Sequence, residues 1–373
     1  MNGRVAPRPL LTGADAATWT CAPPPPEAAA LHRGIPGYAP TPLRDVPGLA
    51  AEWGVRRVVV KDESARFGLP AFKALGVFHA VFRVIRDLAA GTHVAPELPA
   101  LRAAAARLPG LELVTATDGN HGRALAHVGR LLGVPVRVFV PDVVDPGAVA
   151  EIRGEGATTV VTAADYDATV ARAAADAASR AGAVLVQDTA WAGYETIPQY
   201  IVDGYSTMFA EIDDQLGADV AHLVVTPIGV GSLAQAVVTH YKSRGRRVAV
   251  LGVEPDTAAC VTASLRAGRP VSVRTGATIM AGLNCGTPSS LAWPVLRAGL
   301  DGVAVATDDA AAAAAVQLAE LGVPAGPCGA ACVPAVRAVL AEPGGRAALG
   351  LTSRSVVVLL STEGARPAEG QRR

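Results

Sequence analysis

From residue 57 to the end of the chain, short β-branched runs alternate with longer amphipathic or alanine-rich segments. This alternation narrows the fold more than any other feature. The runs fall at 57–61, 112–117, 136–140, 158–161, 184–187, 222–226, 247–253 and 355–361. The intervening segments at 71–89, 121–132, 165–181, 197–216, 232–243, 260–267, 308–321 and 330–341 carry helical spacing. Strands that are apolar nearly throughout, each followed by a helix, predict an α/β fold with parallel sheets covered on both faces. With 373 residues, half of them hydrophobic, the chain can build one large bilobed body or two domains. Residues 1–40 break the pattern: they are rich in proline and alanine, with a run from Pro23 to Pro26, and read as an extended or wrapping arm. The residues from about 366 onward are polar and are expected to fray.

Charge and composition exclude several classes. The formal net charge is zero and no basic stripe stands out, which argues against nucleic acid as the main partner. The nearest thing to a membrane span, 310–316, is bracketed by Asp308 and Asp309 and by Gln317 and Glu320, so it reads as an alanine-rich helix. The first twenty residues contain Arg4, Arg8 and Asp15 and no continuous apolar stretch, so no secretory signal is visible. A soluble, cytoplasmic protein is expected. Five cysteines are too few and too scattered for a disulfide framework. Cys328 and Cys332 lack a companion pair, so no metal site is expected.

Lysine is scarce: three residues, Lys61, Lys73 and Lys242, against thirty arginines. Such a bias leaves lysine where a primary amine is needed, because arginine can neither act as a base nor form a Schiff base. Lys73 stands in an apolar, glycine-punctuated setting, Phe67-Gly68-Leu69-Pro70-Ala71-Phe72-Lys73. Lys61 and Lys242 read as ordinary residues, Lys242 as a solvated helix end.

Ligands of open α/β sheets bind at the carboxyl ends of the strands, and four such loops carry chemistry. Thr115 to Gly122 offers small residues, Asp118, the Asn120 amide and a helix start. Pro227-Ile228-Gly229-Val230-Gly231-Ser232 joins a strand to a helix through glycines, a setting for phosphate. It lacks the full G-x-G-x-x-G spacing, and many ordinary turns look like it. Gln187 to Glu195 contains Asp188, whose plain role would be a cap, and Ser361-Thr362-Glu363-Gly364 would pass for a strand-ending turn. Each loop alone is unremarked in a globular protein. With Lys73 they supply an amine, a phosphate cradle and two aspartates.

These segments resemble one family. Lys61-Asp62-Glu63-Ser64 followed by Phe67 to Lys73, Thr117 to Gly122, Gln187 to Trp191, Gly193-Tyr194-Glu195, Val253 to Asp256 and Thr278 to Leu283 are similar to the diaminopropionate ammonia-lyases. Those belong to the tryptophan-synthase-β-like, fold type II group of pyridoxal phosphate enzymes. The likeness runs in order from about residue 40 to 364. It implies two open, twisted, mainly parallel-sheet domains with helices on both faces. The large, cofactor-binding domain would take 1–75 and 190–373, with 1–40 as its extended arm, and the small domain 76–189. The active site would lie between them.

The resemblance also implies roles. Lys73 would hold pyridoxal 5′-phosphate as a Schiff base and move the substrate's Cα proton. Asn120 would bind the ring hydroxyl, and Gly229, Val230, Gly231 and Ser232 the phosphate. Either Ser361 or Thr362 would face the pyridine nitrogen. Asp118 and Asp188 are the candidates to hold a β-ammonium and manage its proton, with Asp118 on the face of Cα opposite Lys73. The family often pairs cysteines near 260 and 285, which would make a Cys260–Cys285 bridge. One stretch departs from the pattern: Pro327-Cys328-Gly329-Ala330 stands where the family usually has Glu-Ser-Gly-Ala.

The leading expectation is therefore β-elimination of ammonia from D- or L-2,3-diaminopropionate through an aminoacrylate, giving pyruvate and ammonia. A homodimer acting on a small amino-acid substrate goes with it. The Pro327-Cys328 departure keeps open elimination or replacement on another β-substituted amino acid. A catalytically lapsed binding protein of the same fold is the reading from a different class, and intact Lys73, Asp118 and Asn120 argue against it.

Overall fold

The computed structural model describes residues 8–12, 14–117, 119–245 and 247–365. Its strands are β1 (Leu10–Leu11), β2 (Leu43–Asp45), β3 (Arg57–Asp62), β4 (Glu112–Ala116), β5 (Val136–Pro141), β6 (Thr158–Thr162), β7 (Ala183–Leu185), β8 (Leu223–Pro227), β9 (Ala249–Pro255), β10 (Gly302–Ala306) and β11 (Val356–Ser361). They form two sheets. A seven-stranded sheet has the order β1-β10-β9-β8-β11-β3-β2, and a four-stranded sheet the order β6-β5-β4-β7. The smaller sheet is parallel throughout. In the larger one only the edge strands β1 and β2 run antiparallel to their neighbours. The α/β class with helix-covered parallel sheets is as expected.

The strands sit where β-branched residues concentrate because the parallel sheet buries both their faces. β11 shows this most fully: all six residues of Val-Val-Val-Leu-Leu-Ser are buried, between β8 and β3. Its side chains enter two core clusters, Val358 and Leu360 on one face and Val357 and Leu359 on the other. Truncating one of them, for example Leu359→Ala, would cost about 2–5 kcal/mol.

Several expectations need correction. β10, with the sequence Gly-Val-Ala-Val-Ala, is an interior strand of the larger sheet that small residues hide from β-propensity. The segment 197–216 is two helices, Thr196–Gly204 and Ser206–Leu216, meeting at the fully buried Tyr205. The arm is not simply extended. Leu10–Leu11 closes the edge of the larger sheet, and Glu27–Arg33 is a helix. That helix follows from Glu-Ala-Ala-Ala-Leu after the proline run, and buries Leu31 and His32. His32 then meets Thr207 Oγ1 at 2.7 Å and Leu75 O at 2.9 Å.

Lys242 is not solvated. It is buried, and its Nζ lies 2.7 Å from Asp301 Oδ2, which also accepts from Val250 N. Cys260 and Cys285 do not form a bridge. The expected fraying from residue 366 lies outside the described residues. Among the described residues no helix is long and apolar enough to cross a membrane.

Candidate active site

Lys73 is the first residue of the helix Lys73–Leu88 and is reached from β3 through the segment 63–72. That segment is pinned from two sides. On one side Phe72 N donates to Thr362 O, Gly364 N donates to Pro70 O, and Ala71 bridges Glu363, so the turn after β11 runs antiparallel beside it. On the other side is a buried ionic network. Arg66 is bidentate to Glu63 and also meets Glu211 at 2.7 Å. Lys61 Nζ donates to Glu211, Gln215 and Thr41 O within 2.7–2.9 Å. Two cations and two carboxylates balance, and the amine's three hydrogens are all used, which is what makes such burial tolerable. Phe67, between them, adopts a left-handed φ of 54°, unusual outside glycine, and packs against Phe78, Tyr38 and His32. Lys61 thus anchors the segment that presents Lys73.

The Lys73 side chain reaches the carboxyl edge of the smaller sheet. Its Nζ is 2.5 Å from Asp188 Oδ2. Asp188 follows β7 by way of Gln187, a fully buried amide with all its positions occupied. Gln187 Oε1 accepts from Thr115 Oγ1 and Ala116 N, and its Nε2 donates to Tyr166 and to Asp188 Oδ1. The carboxylate is therefore held in one orientation. Burial opposes its charge, but the Lys73 ammonium and His121 outweigh that and hold the carboxyl down to about 2. His121 approaches Asp188 at 3.8 Å and bonds Val186 O through Nε2; burial lowers its pKa against the opposing pull of the Asp188 carboxylate.

Asn120 opens the helix Asn120–Leu132 after β4 and reaches across the cleft, where its Nδ2 donates to Glu363 Oε2 at 2.6 Å. Thr117 Oγ1 shapes the loop by accepting from the N–H groups of Gly119 and Gly122. Asp118 lies outside the described residues. After β8, Gly229, Val230 and Gly231 lead into the helix Ser232–Lys242, whose N-cap Gly231 supplies no side-chain cap. Space here excludes side chains: a Cβ on Gly231, at φ +103°, would meet Leu296 Cδ1 at 2.8 Å. Ser232 Oγ donates to Asp188 O at 2.6 Å, which ties the glycine loop to the lysine's partner.

Lys73, Asn120, Asp188, Gly229, Val230, Gly231, Ser232 and Thr362 line one cavity. Ser361 is buried beside it, in contact range of Gly329, and its Oγ has no partner among the described residues. Tyr166, not singled out from sequence, also lines the cavity, as do Cys328, read there only as a departure from the family pattern, and Glu363, read only as part of a strand-ending turn. Glu363 could have been found from its place in the turn after β11. Tyr166 had only the weaker signal of an aromatic at a helix start after β6.

The arrangement suits a flat, phosphorylated aldehyde. An open helix amino terminus with glycine clearance takes a phosphate, a primary amine takes the aldehyde, and the orphaned buried Ser361 hydroxyl awaits a polar ring atom. A family model described as pyridoxal-phosphate dependent enzyme matches residues 35–362. The diaminopropionate ammonia-lyase of Salmonella typhimurium is 38% identical over 287 residues, 73% of this chain and 69% of that protein. The Escherichia coli K12 diaminopropionate ammonia-lyase is 37% identical over 278 residues, 72% of this chain and 68% of that protein. The crystal structure of the Escherichia coli enzyme in complex with D-serine matches with a TM-score of 0.83 at 31% identity, covering 96% of this chain and 95% of that one. The chain belongs to the pyridoxal-phosphate dependent enzymes and, within them, to the diaminopropionate ammonia-lyase family.

Proposed function

We propose that this protein is a carbon–nitrogen lyase that eliminates ammonia from D- or L-2,3-diaminopropionate, leaving pyruvate and ammonia. The observation that carries this reading is the Lys73–Asp188 pair at the mouth of the glycine loop. Lys73 would hold pyridoxal 5′-phosphate, which when bound would supply an electron sink next to the substrate's Cα. Lys73 moves the Cα proton on its face, and Asp118 serves the opposite face. Asp188, oriented by Gln187, offers a carboxylate to the departing amine and so favours its protonated form. Asn120 binds the ring hydroxyl, and Gly229 to Ser232 bind the phosphate. Of the two hydroxyls at the end of β11 we assign Ser361 to the pyridine nitrogen, because its Oγ is buried and unpartnered among the described residues.

The two sheets support a division into a large domain of 1–75 with 190–373 and a small one of 76–189, the cavity between them. A cytoplasmic homodimer is the location and assembly this reading brings with it. One observation favours a second reading, elimination or replacement on another β-substituted amino acid. Cys328 lines the cavity after Pro327, where a Glu-Ser pair is the family habit. Product analysis tests both. Pyruvate and ammonia from diaminopropionate without an added nucleophile support the lyase. No pyruvate from diaminopropionate, with turnover of another β-substituted amino acid, would replace it by the second reading.

A further inference from the structure

Glu363 is a buried carboxylate with no cation beside it among the described residues. It is 8% exposed and lines the same cavity as Lys73 and Asp188. Its Oε2 accepts from the neutral Asn120 amide at 2.6 Å, and among the described residues no lysine or arginine pairs with it. The fold holds it there deliberately. Its backbone bridges Ala71, two residues before Lys73, and its carbonyl accepts from Gly326 N. Gly326 gives the side chain room, since a Cβ there would come within 2.8 Å of Glu363 Cγ. Asp188, by contrast, pairs with the Lys73 amine in this structure and takes the Gln187 amide on its other oxygen. A buried carboxylate that meets only a neutral donor is a site awaiting a positive charge.

Resting on the lyase reading above, we infer that Glu363 is the residue that selects a substrate with a β-ammonium over one with a β-hydroxyl. The α-amino group of diaminopropionate is taken up with the cofactor, which leaves the β-ammonium as the cation to be matched. Glu363 offers it a charge-assisted hydrogen bond at the cleft. An amide nitrogen has two hydrogens, so Asn120 can keep Glu363 oriented while meeting the ring hydroxyl. Serine, with a neutral hydroxyl, leaves the carboxylate uncompensated and is disfavoured.

The test compares wild type with Glu363→Gln, both loaded with pyridoxal 5′-phosphate. The ratio of kcat/KM for diaminopropionate to that for serine should fall about 10–100-fold in the variant, with most of the change in KM for diaminopropionate. A binding readout stands beside activity: absorbance titration with L-2,4-diaminobutyrate and with L-norvaline, neither of which has a leaving group at Cβ. Wild type should prefer the diamine, and Glu363→Gln should lose that preference. If Glu363→Gln does not load, Glu363→Leu fills the space without charge and carries the same expectation. An unchanged substrate ratio and an unchanged diamine preference in a loaded variant would overturn the inference. Wild type that forms no pyruvate from diaminopropionate would instead overturn the lyase reading, so the two failures are distinguishable.

Discussion

Lys73 Nζ and Asp188 Oδ2 lie 2.5 Å apart, joining the first residue of the helix that follows β3 of the larger sheet to the loop that leaves the smaller one. The pair is 115 residues apart in sequence. It places the lysine that lines this cavity beside a carboxylate oriented by Gln187.

Lys73→Arg keeps a cation for Asp188 but cannot form a Schiff base. It should lower pyruvate formation by on the order of 10⁴-fold, while far-ultraviolet circular dichroism stays that of wild type.

Asp188→Asn removes the partner and leaves Lys73 uncompensated. Pyruvate formation should fall by on the order of 10²-fold or more. The pair also predicts a pH dependence of the cofactor-free protein. Asp188 has a folded pKa depressed from 3.8 to about 2, so its contribution is present above the unfolded value and is lost as pH falls toward the folded one. Urea titrations between pH 6 and about pH 2 should show a component on the order of 2 kcal/mol in wild type that is missing in Asp188→Asn.

Gly231→Ala puts a methyl group against Leu296 and forces a non-glycine residue into φ +103°. Pyridoxal phosphate affinity, followed by absorbance titration, should weaken at least about tenfold, and stability should fall by about 1–3 kcal/mol.

Glu211→Gln leaves Arg66 and Lys61 sharing one fewer buried charge. The urea midpoint should move down by the equivalent of about 3–5 kcal/mol. A loss below about 1 kcal/mol would mean that the network is not what holds the segment before Lys73.

How much of this was legible depended on whether a residue's environment is local. β11 could be read directly, because five consecutive Val and Leu residues leave no face for water. β10 could not, since Gly-Val-Ala-Val-Ala becomes a strand only through pairing with β9. Tyr205 splits a continuous helical pattern by packing against Phe72, a tertiary contact with no local signature. Lys73 was legible from its apolar flanks. Lys242 was misread, because Asp301 reaches it from 59 residues away. Glu363 looked like a turn residue, and only the fold aims it at Asn120. The glycine loop was read as a weak signal, and its position in the cavity beside Lys73 is what gives it weight.

The most direct measurement is reduction of the cofactor-loaded protein with borohydride, which fixes the cofactor to whichever lysine bears it, followed by peptide mapping. The account predicts label on Lys73 alone. Label on Lys61 or Lys242, which the structure ties to Glu211 and Asp301, would contradict it.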